Sequence, residues 1–144
     1  MEIKNVDDCF KLRLLRKISP DLDKTKKSLE IARQRIESAE YLLKINQKFN
    51  HYIIVDAYNS MFHAARALLY RDGIQEKNHY AVFVYLKEKY SSKIPLNIIN
   101  LLNIYRIERH EAVYGLEYKP TKEDAKSALE DARLFIKEIE KQLG

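Results

Sequence analysis

Cysteine is almost missing from this chain of 144 residues: Cys9 is the only one. One thiol can neither close an internal disulfide nor supply a thiolate metal cluster, so a reducing, cytoplasmic compartment is the default expectation. Glycine is nearly as scarce. Gly73, Gly115 and Gly144 all fall at expected helix ends, which leaves none for a glycine-rich phosphate loop and excludes the common nucleotide-hydrolysing enzymes. No apolar run approaches the roughly 20 residues that a membrane helix needs. The start, MEIKNVDD, is acidic where a signal peptide is basic and then apolar, so neither export nor a membrane association is expected. The four histidines, His51, His63, His79 and His110, never recur at metal-binding spacing on one helix, and no metal or cofactor is expected. Ser60 lies near His63 but lacks a visible oxyanion pocket or orienting acid, and reads as a helical surface serine.

What the chain does contain is helix-forming sequence. Hydrophobic residues make up 46% and charged residues 33%, a composition that folds without a partner and that suits one domain. Lysine and arginine exceed aspartate and glutamate, 26 against 21, for a formal charge of +5. That balance allows polyanion contact, although acids are interleaved with bases along most of the chain.

The stretch Asp56 to Gly73, DAYNSMFHAARALLYRDG, organises the rest. Ile54, Tyr58, Met61, Ala65 and Leu68 recur at the three-and-four spacing of a helix, and its alanines let neighbouring backbones approach closely. Asp72-Gly73 supplies a left-handed stop, and Asn50 is the expected cap at the other end. Before it, residues 7–18 read as a short amphipathic helix with Phe10, Leu14 and Ile18 on one side. Ser19-Pro20 then opens a long helix whose seam is Leu22, Leu29, Ala32, Ile36, Ala39 and Leu43, running to about Lys48. After Gly73 the polar link IQEKN leads to Asn78 as a cap for a shorter helix carrying Val82, Phe83, Leu86 and Tyr90. Pro95 opens the next, with Ile98, Leu102, Tyr105, Arg109 and Ala112 on one stripe. Thr121 to Asp124 is a capped start for the last, which buries Ala125, Leu129, Ala132, Ile136, Ile139 and Leu143.

No stretch alternates with period two, and a lone strand would find no partner. The expected class is therefore all-α: an up-and-down helical bundle of four to five main helices at 19–144, preceded by the short helix at 1–18.

Two groups of polar residues stand out. Asn59, His63, Arg66 and Tyr70 form a stripe beside the apolar face of the central helix. In YRIERHEAVYG, Tyr105 to Gly115, Arg106 and His110 are four positions apart and share a helix face, with Arg109 beside them. An arginine to hold a phosphate and a histidine to move a proton are the parts of an RNA-cleaving site. The structural reading of the same residues is a buried Arg109 paired to Asp56 or Glu108, with His110 at the rim.

The succession AYNSMFHAARALLYRDG, KNHYAVFVYLKEKY and R-H-E-A-V-Y, closed by a capped C-terminal helix, resembles the HEPN superfamily, especially its small archaeal and bacterial single-domain members. The resemblance extends from about Lys27 to Leu143. It implies an up-and-down bundle, a homodimer, and a companion minimal nucleotidyltransferase in a toxin–antitoxin pair. In ribonuclease members an arginine and a histidine at slightly wider spacing than Arg106 and His110 form a composite site across the dimer. Where some members carry a modifiable tyrosine soon after that histidine, this chain has Ala112, with Tyr114 later. Arg109, Ala112 and Tyr114 match the Arg-x-x-Ala-x-Tyr of members without an established nuclease site, and Lys77 and His79 fall where those members also tend to carry a basic residue and a histidine.

The function this implies is a dimeric module that binds a nucleotide, RNA or a nucleotidyltransferase partner through Asn59, His63, Arg66, Lys77, His79, Arg109 and Tyr114. The alternative is a metal-independent ribonuclease in which Arg106 and His110 are catalytic.

Overall fold

The computed structural model describes residues 2–45 and 47–144. Its helices are α1 (Val6–Lys11), α2 (Leu22–Ile45), α3 (Asn50–Arg71), α4 (His79–Tyr90), α5 (Leu96–Tyr114) and α6 (Lys122–Leu143), with a 3-10 turn at Gln47–Phe49. Helix α3 is the axis of the bundle. Ile54, Tyr58, Met61, Ala65 and Leu68 are all buried, as their spacing requires, and buried Ala57, Ala64 and Ala67 let α2, α5 and α6 pack around it. Against α2 the seam is partly polar. Thr25 Oγ1 donates to the Ala67 carbonyl at 3.0 Å and Ser28 Oγ to the His63 carbonyl at 2.7 Å, so two buried hydroxyls are satisfied by helix backbone.

The last helices follow the expected pattern closely. Thr121 and Asp124 form a reciprocal capping box at the start of α6, and Ala125, Leu129, Ala132, Ile136 and Ile139 are buried. Asn78 caps α4 by accepting from the Ala81 N–H at 3.0 Å. Among the described residues, no helix is long and apolar enough to cross a membrane.

Several local expectations are overturned. The helix expected over 7–18 stops at Lys11, and after Arg13 at φ 59° the chain forms β1 (Leu15–Lys17). This strand pairs antiparallel with β2 (Ile74–Glu76), which occupies the expected polar link, in the register Leu15↔Glu76, Arg16↔Gln75 and Lys17↔Ile74. A strand in this chain does have a partner. Three residues are too few to display a period of two, so the ribbon carries no pattern signal. It is continued by Lys77 N–H to the Leu14 carbonyl and Ile18 N–H to the Gly73 carbonyl, both at 2.9 Å. Gly73, at φ 77°, makes the reversal between α3 and β2. Val6, Cys9 and Leu15 join the same apolar cluster as α3.

The caps of the first long helices also differ. Helix α2 begins at Leu22 and is capped by Asp21, which accepts from the Lys24 N–H at 3.0 Å, where Ser19-Pro20 was expected to open it. Leu22 is exposed, and the buried positions of α2 are the small residues Thr25, Ser28, Ala32 and Ala39. The expected continuation to about Lys48 passes Asn46, which lies outside the described residues. Asn50 does not cap α3: Phe49 holds that position, and Asn50 Nδ2 donates to the Pro120 carbonyl at 3.2 Å. Ser60 is fully buried and not on the surface, because its hydroxyl is satisfied within its own helix by the Ala57 carbonyl at 2.7 Å.

Candidate functional site

Helical spacing on α5 places Arg106, Arg109 and His110 on adjoining positions of one face, and packing of α5 against α3 and α4 brings that face to Tyr58 and His79. Together these five side chains line a cleft of about 160 Å³. Two guanidinium groups and two imidazoles converge there, with no carboxylate among the lining residues. The arrangement suits an anion.

Each member is held differently. Arg106 Nε donates to Asn103 Oδ1 at 2.9 Å, and its guanidinium carbon lies 5.1 Å from the centre of the Tyr80 ring. Arg109 is half-buried, and its Nε is buried with no hydrogen-bond partner. The expected pairing of Arg109 with Asp56 or Glu108 does not form. Asp56 instead accepts from Ser38 Oγ at 2.6 Å on the α2 side, and Glu108 accepts from the Tyr118 hydroxyl at 2.8 Å. A donor of this kind, left unmet inside the protein, is costly unless a ligand supplies the acceptor. His110 is exposed at the rim, with its ring 4.9 Å from that of Tyr114.

His79 occupies the first position of α4. Its ring stacks on Phe62 at 4.0 Å between centroids and 8° between planes, and its Nδ1 lies 2.7 Å from the Tyr58 hydroxyl. Burial lowers the His79 pKa, and the positive charges of Arg109, Arg106 and Arg66 lower it further. Burial also raises the pKa of Tyr58 well above the ordinary phenol value, against the opposing pull of Arg106 and Arg109. Both groups are therefore uncharged near neutral pH.

The other sequence-derived candidates lie outside this cleft. Arg66 forms an ion pair with Glu76 of β2 at 3.2 Å and covers the rings of Tyr70 and Phe62 at 5.2 and 5.7 Å. His63 is half-buried, its Nδ1 has no partner, and burial together with Arg66, Arg35 and His79 lowers its pKa to about 4. Asn59 is half-buried and Lys77 exposed, neither lining the cleft, and Tyr114 is 65% exposed beside it. The stripe on α3 thus adjoins the cleft through Phe62, whose ring contacts both His63 and His79.

Sequence reasoning missed two residues. Tyr58 reads as core from its position, although a tyrosine on a core stripe signals a hydroxyl that must find a partner. Phe62 carries no such signal. A wider cleft of about 390 Å³ between α2 and α6 also contains arginines, but Arg33 is paired with Glu140 at 3.3 Å and Arg133 with Glu40 at 3.1 Å. Their charge is already met by neighbouring acids.

With this geometry in place, comparison with known proteins gives two findings. The family model described as "HEPN domain" matches residues 25–142. A protein of Methanocaldococcus jannaschii named "Putative toxin MJ0605" is 31% identical over 120 residues, which cover 80% of this chain and 85% of that relative.

Proposed function

This chain belongs to the HEPN domain family, and from that premise we propose that it is the toxin-like member of a two-component pair whose basic cleft holds a phosphate of RNA or of a nucleotide. The observation that carries this reading is the convergence of Arg106, Arg109, His79 and His110 on one cleft without a lining carboxylate, with Arg109 Nε unpartnered. Two planar guanidinium groups set beside neutral imidazole suit the oxygens of a phosphodiester. The similarity to a protein named as a toxin supports the assignment to such a pair. A minimal nucleotidyltransferase is the partner that the family resemblance implies.

The active form in this reading is a homodimer. Its support is the run of exposed apolar side chains on α5 and just beyond: Ile104, Ile107, Val113, Tyr114 and Leu116. A contact through this face would set two clefts close together.

One observation favours a second reading, a metal-independent ribonuclease: Arg106 and His110 line the same cleft despite their short spacing in sequence. Arginine would then stabilise the scissile phosphate while His110 accepts the proton of the 2′-hydroxyl that attacks it. Incubation of the purified protein with end-labelled single-stranded RNA in EDTA tests both readings, with retention measured on filters and integrity on gels. Retention without cleavage is the expected result, and retention lost in Arg109→Gln would place binding in the cleft. Cleavage that disappears in His110→Ala would replace the binding reading by the ribonuclease one. Neither retention nor cleavage would remove RNA as the ligand.

A further inference from the structure

The Tyr58 hydroxyl belongs to a side chain that is 0% exposed, and its hydrogen-bond partner is His79 Nδ1 at 2.7 Å. A buried hydroxyl proton requires an acceptor, and among the described residues the histidine nitrogen is the one placed to provide it. Nδ1 must then be the unprotonated nitrogen of the ring, and the proton of neutral His79 lies on Nε2. Phe62 covers one face of the imidazole in near-parallel contact, and Tyr58 covers the Nδ1 edge. His79 is nevertheless exposed overall and lines the cleft, and Nε2 is the ring nitrogen that Tyr58 does not engage.

We propose that Tyr58 is a positioning residue that locks His79 in its Nε2–H tautomer, so that His79 meets a phosphoryl oxygen in the cleft as an uncharged hydrogen-bond donor. This rests on the reading of the cleft as a phosphate site. It divides the labour between the two imidazoles: His79 donates as a neutral ring from the wall of the cleft, and His110 stands exposed at its rim.

The charged surroundings act in the same direction. His79 faces Tyr58, His63 and Arg66 from α3 and Arg106, Arg109 and His110 from α5; the positive charge comes from the three arginines, of which Arg66 is paired with Glu76 of β2, and no carboxylate lines the cleft. It also sits in the first turn of α4, at the positive end of that helix. Protonation at Nδ1 would turn the acceptor of the Tyr58 proton into a second donor and leave that buried proton unmet. Burial and the arginines already lower the His79 pKa, and the tyrosine makes the neutral form geometrically specific.

Nitrogen-15 NMR of histidine-labelled protein reads the tautomer directly, and His79→Gln identifies the resonances. In the free wild-type protein at neutral pH, His79 is expected to show an unprotonated Nδ1 and a protonated Nε2. In Tyr58→Phe the two tautomers should mix and the titration midpoint of His79 should move up. A proton on Nδ1 in the wild type would overturn the proposal, as would an unchanged tautomer and midpoint in folded Tyr58→Phe. Titration with inorganic phosphate is the second arm. The His79 Nε2–H signal should shift on binding, and Tyr58→Phe should weaken phosphate about fivefold, the worth of one modest hydrogen bond. The expected tautomer without any phosphate response would uphold the lock while overturning the phosphate reading of the cleft.

Discussion

Replacing Asp72 by alanine should cost the protein about 3 kcal/mol, because this carboxylate ties α3 to α4 and holds Arg71, which reaches α6. It follows the last residue of α3, and its Oδ2 accepts from the Tyr85 and Tyr90 hydroxyls of α4 at 2.9 and 2.6 Å. Arg71 Nε approaches Oδ1 at 3.4 Å, while the same guanidinium donates to the Tyr90 hydroxyl at 2.9 Å and to the Gln142 carbonyl near the end of α6. A hydrogen bond to a charged group is worth about 1.5–3 kcal/mol, and the lower end applies here because the Asp72 and Arg71 side chains retain some exposure, 22% and 30%. Two such bonds give the figure of about 3 kcal/mol, or a Tm lowered by roughly 6–12 °C for a domain of this size.

Asp72→Asn keeps one carbonyl acceptor and should lose about half as much. Urea melts of Asp72→Ala, Tyr90→Phe and the double variant measure the coupling. Strictly additive losses, or a loss below about 0.5 kcal/mol for Asp72→Ala, would refute the network as described. High pH offers an independent check. Burial and then Asp72 raise the Tyr90 pKa to about 12, so the folded state favours the protonated phenol. Its contribution is complete below the ordinary value near 10 and is lost as pH rises toward 12, and that loss should shrink in Asp72→Ala.

Three further outcomes follow from the same structure. The His63 pKa is lowered from 6.5 to about 4, so its contribution to stability is complete above 6.5 and is lost as pH falls toward 4. Solvent screening of the half-exposed ring keeps this well below about 3 kcal/mol, and chemical denaturation of His63→Gln should show a flatter acid dependence across that interval. In Gly73→Ala the added Cβ would meet the Ile18 carbonyl oxygen at 2.7 Å with φ at 77°, and a loss of about 2–3 kcal/mol in denaturant melts is expected. Ser60→Ala should change stability by less than about 1 kcal/mol, since its hydroxyl is bonded only to the Ala57 carbonyl of its own helix, and a thermal melt checks this.

How much of this was legible in the sequence depends on the length over which a pattern repeats. Helices α3 and α6 run for 22 residues each, long enough for the apolar spacing to identify their buried faces. The ribbon of β1 and β2 uses three residues per strand, and its pairing partners are separated by the whole of α2 and α3. No local rule reports such a pairing. Among the caps, Thr121 and Asn78 were readable because the residue and its acceptor role are local. Asn50 was not, since Pro120 competes for its side chain from a distant part of the chain.

The site divides in the same way. Arg106 and His110 share a face by spacing alone, and that much was visible. The fate of Arg109 was not, because Asp56 and Glu108 were free to pair with it in sequence but are taken by Ser38 and Tyr118 in the fold. Tyr58 required tertiary information of another kind: only the approach of α4 shows that its hydroxyl meets His79.

The central claim is that the cleft of Arg106, Arg109, His79 and His110 is where a phosphate binds. Its most direct test is a fluorescence-anisotropy titration of labelled single-stranded RNA over a range of salt, with wild type, Arg106→Gln, Arg109→Gln and Lys137→Gln compared. Each cleft arginine should cost about tenfold in affinity and lower the salt slope by about one, as expected for loss of a phosphate contact. Lys137, on the α2–α6 cleft, should behave as wild type. Equal weakening by Lys137→Gln and Arg109→Gln, or no weakening by either arginine variant, would contradict the account.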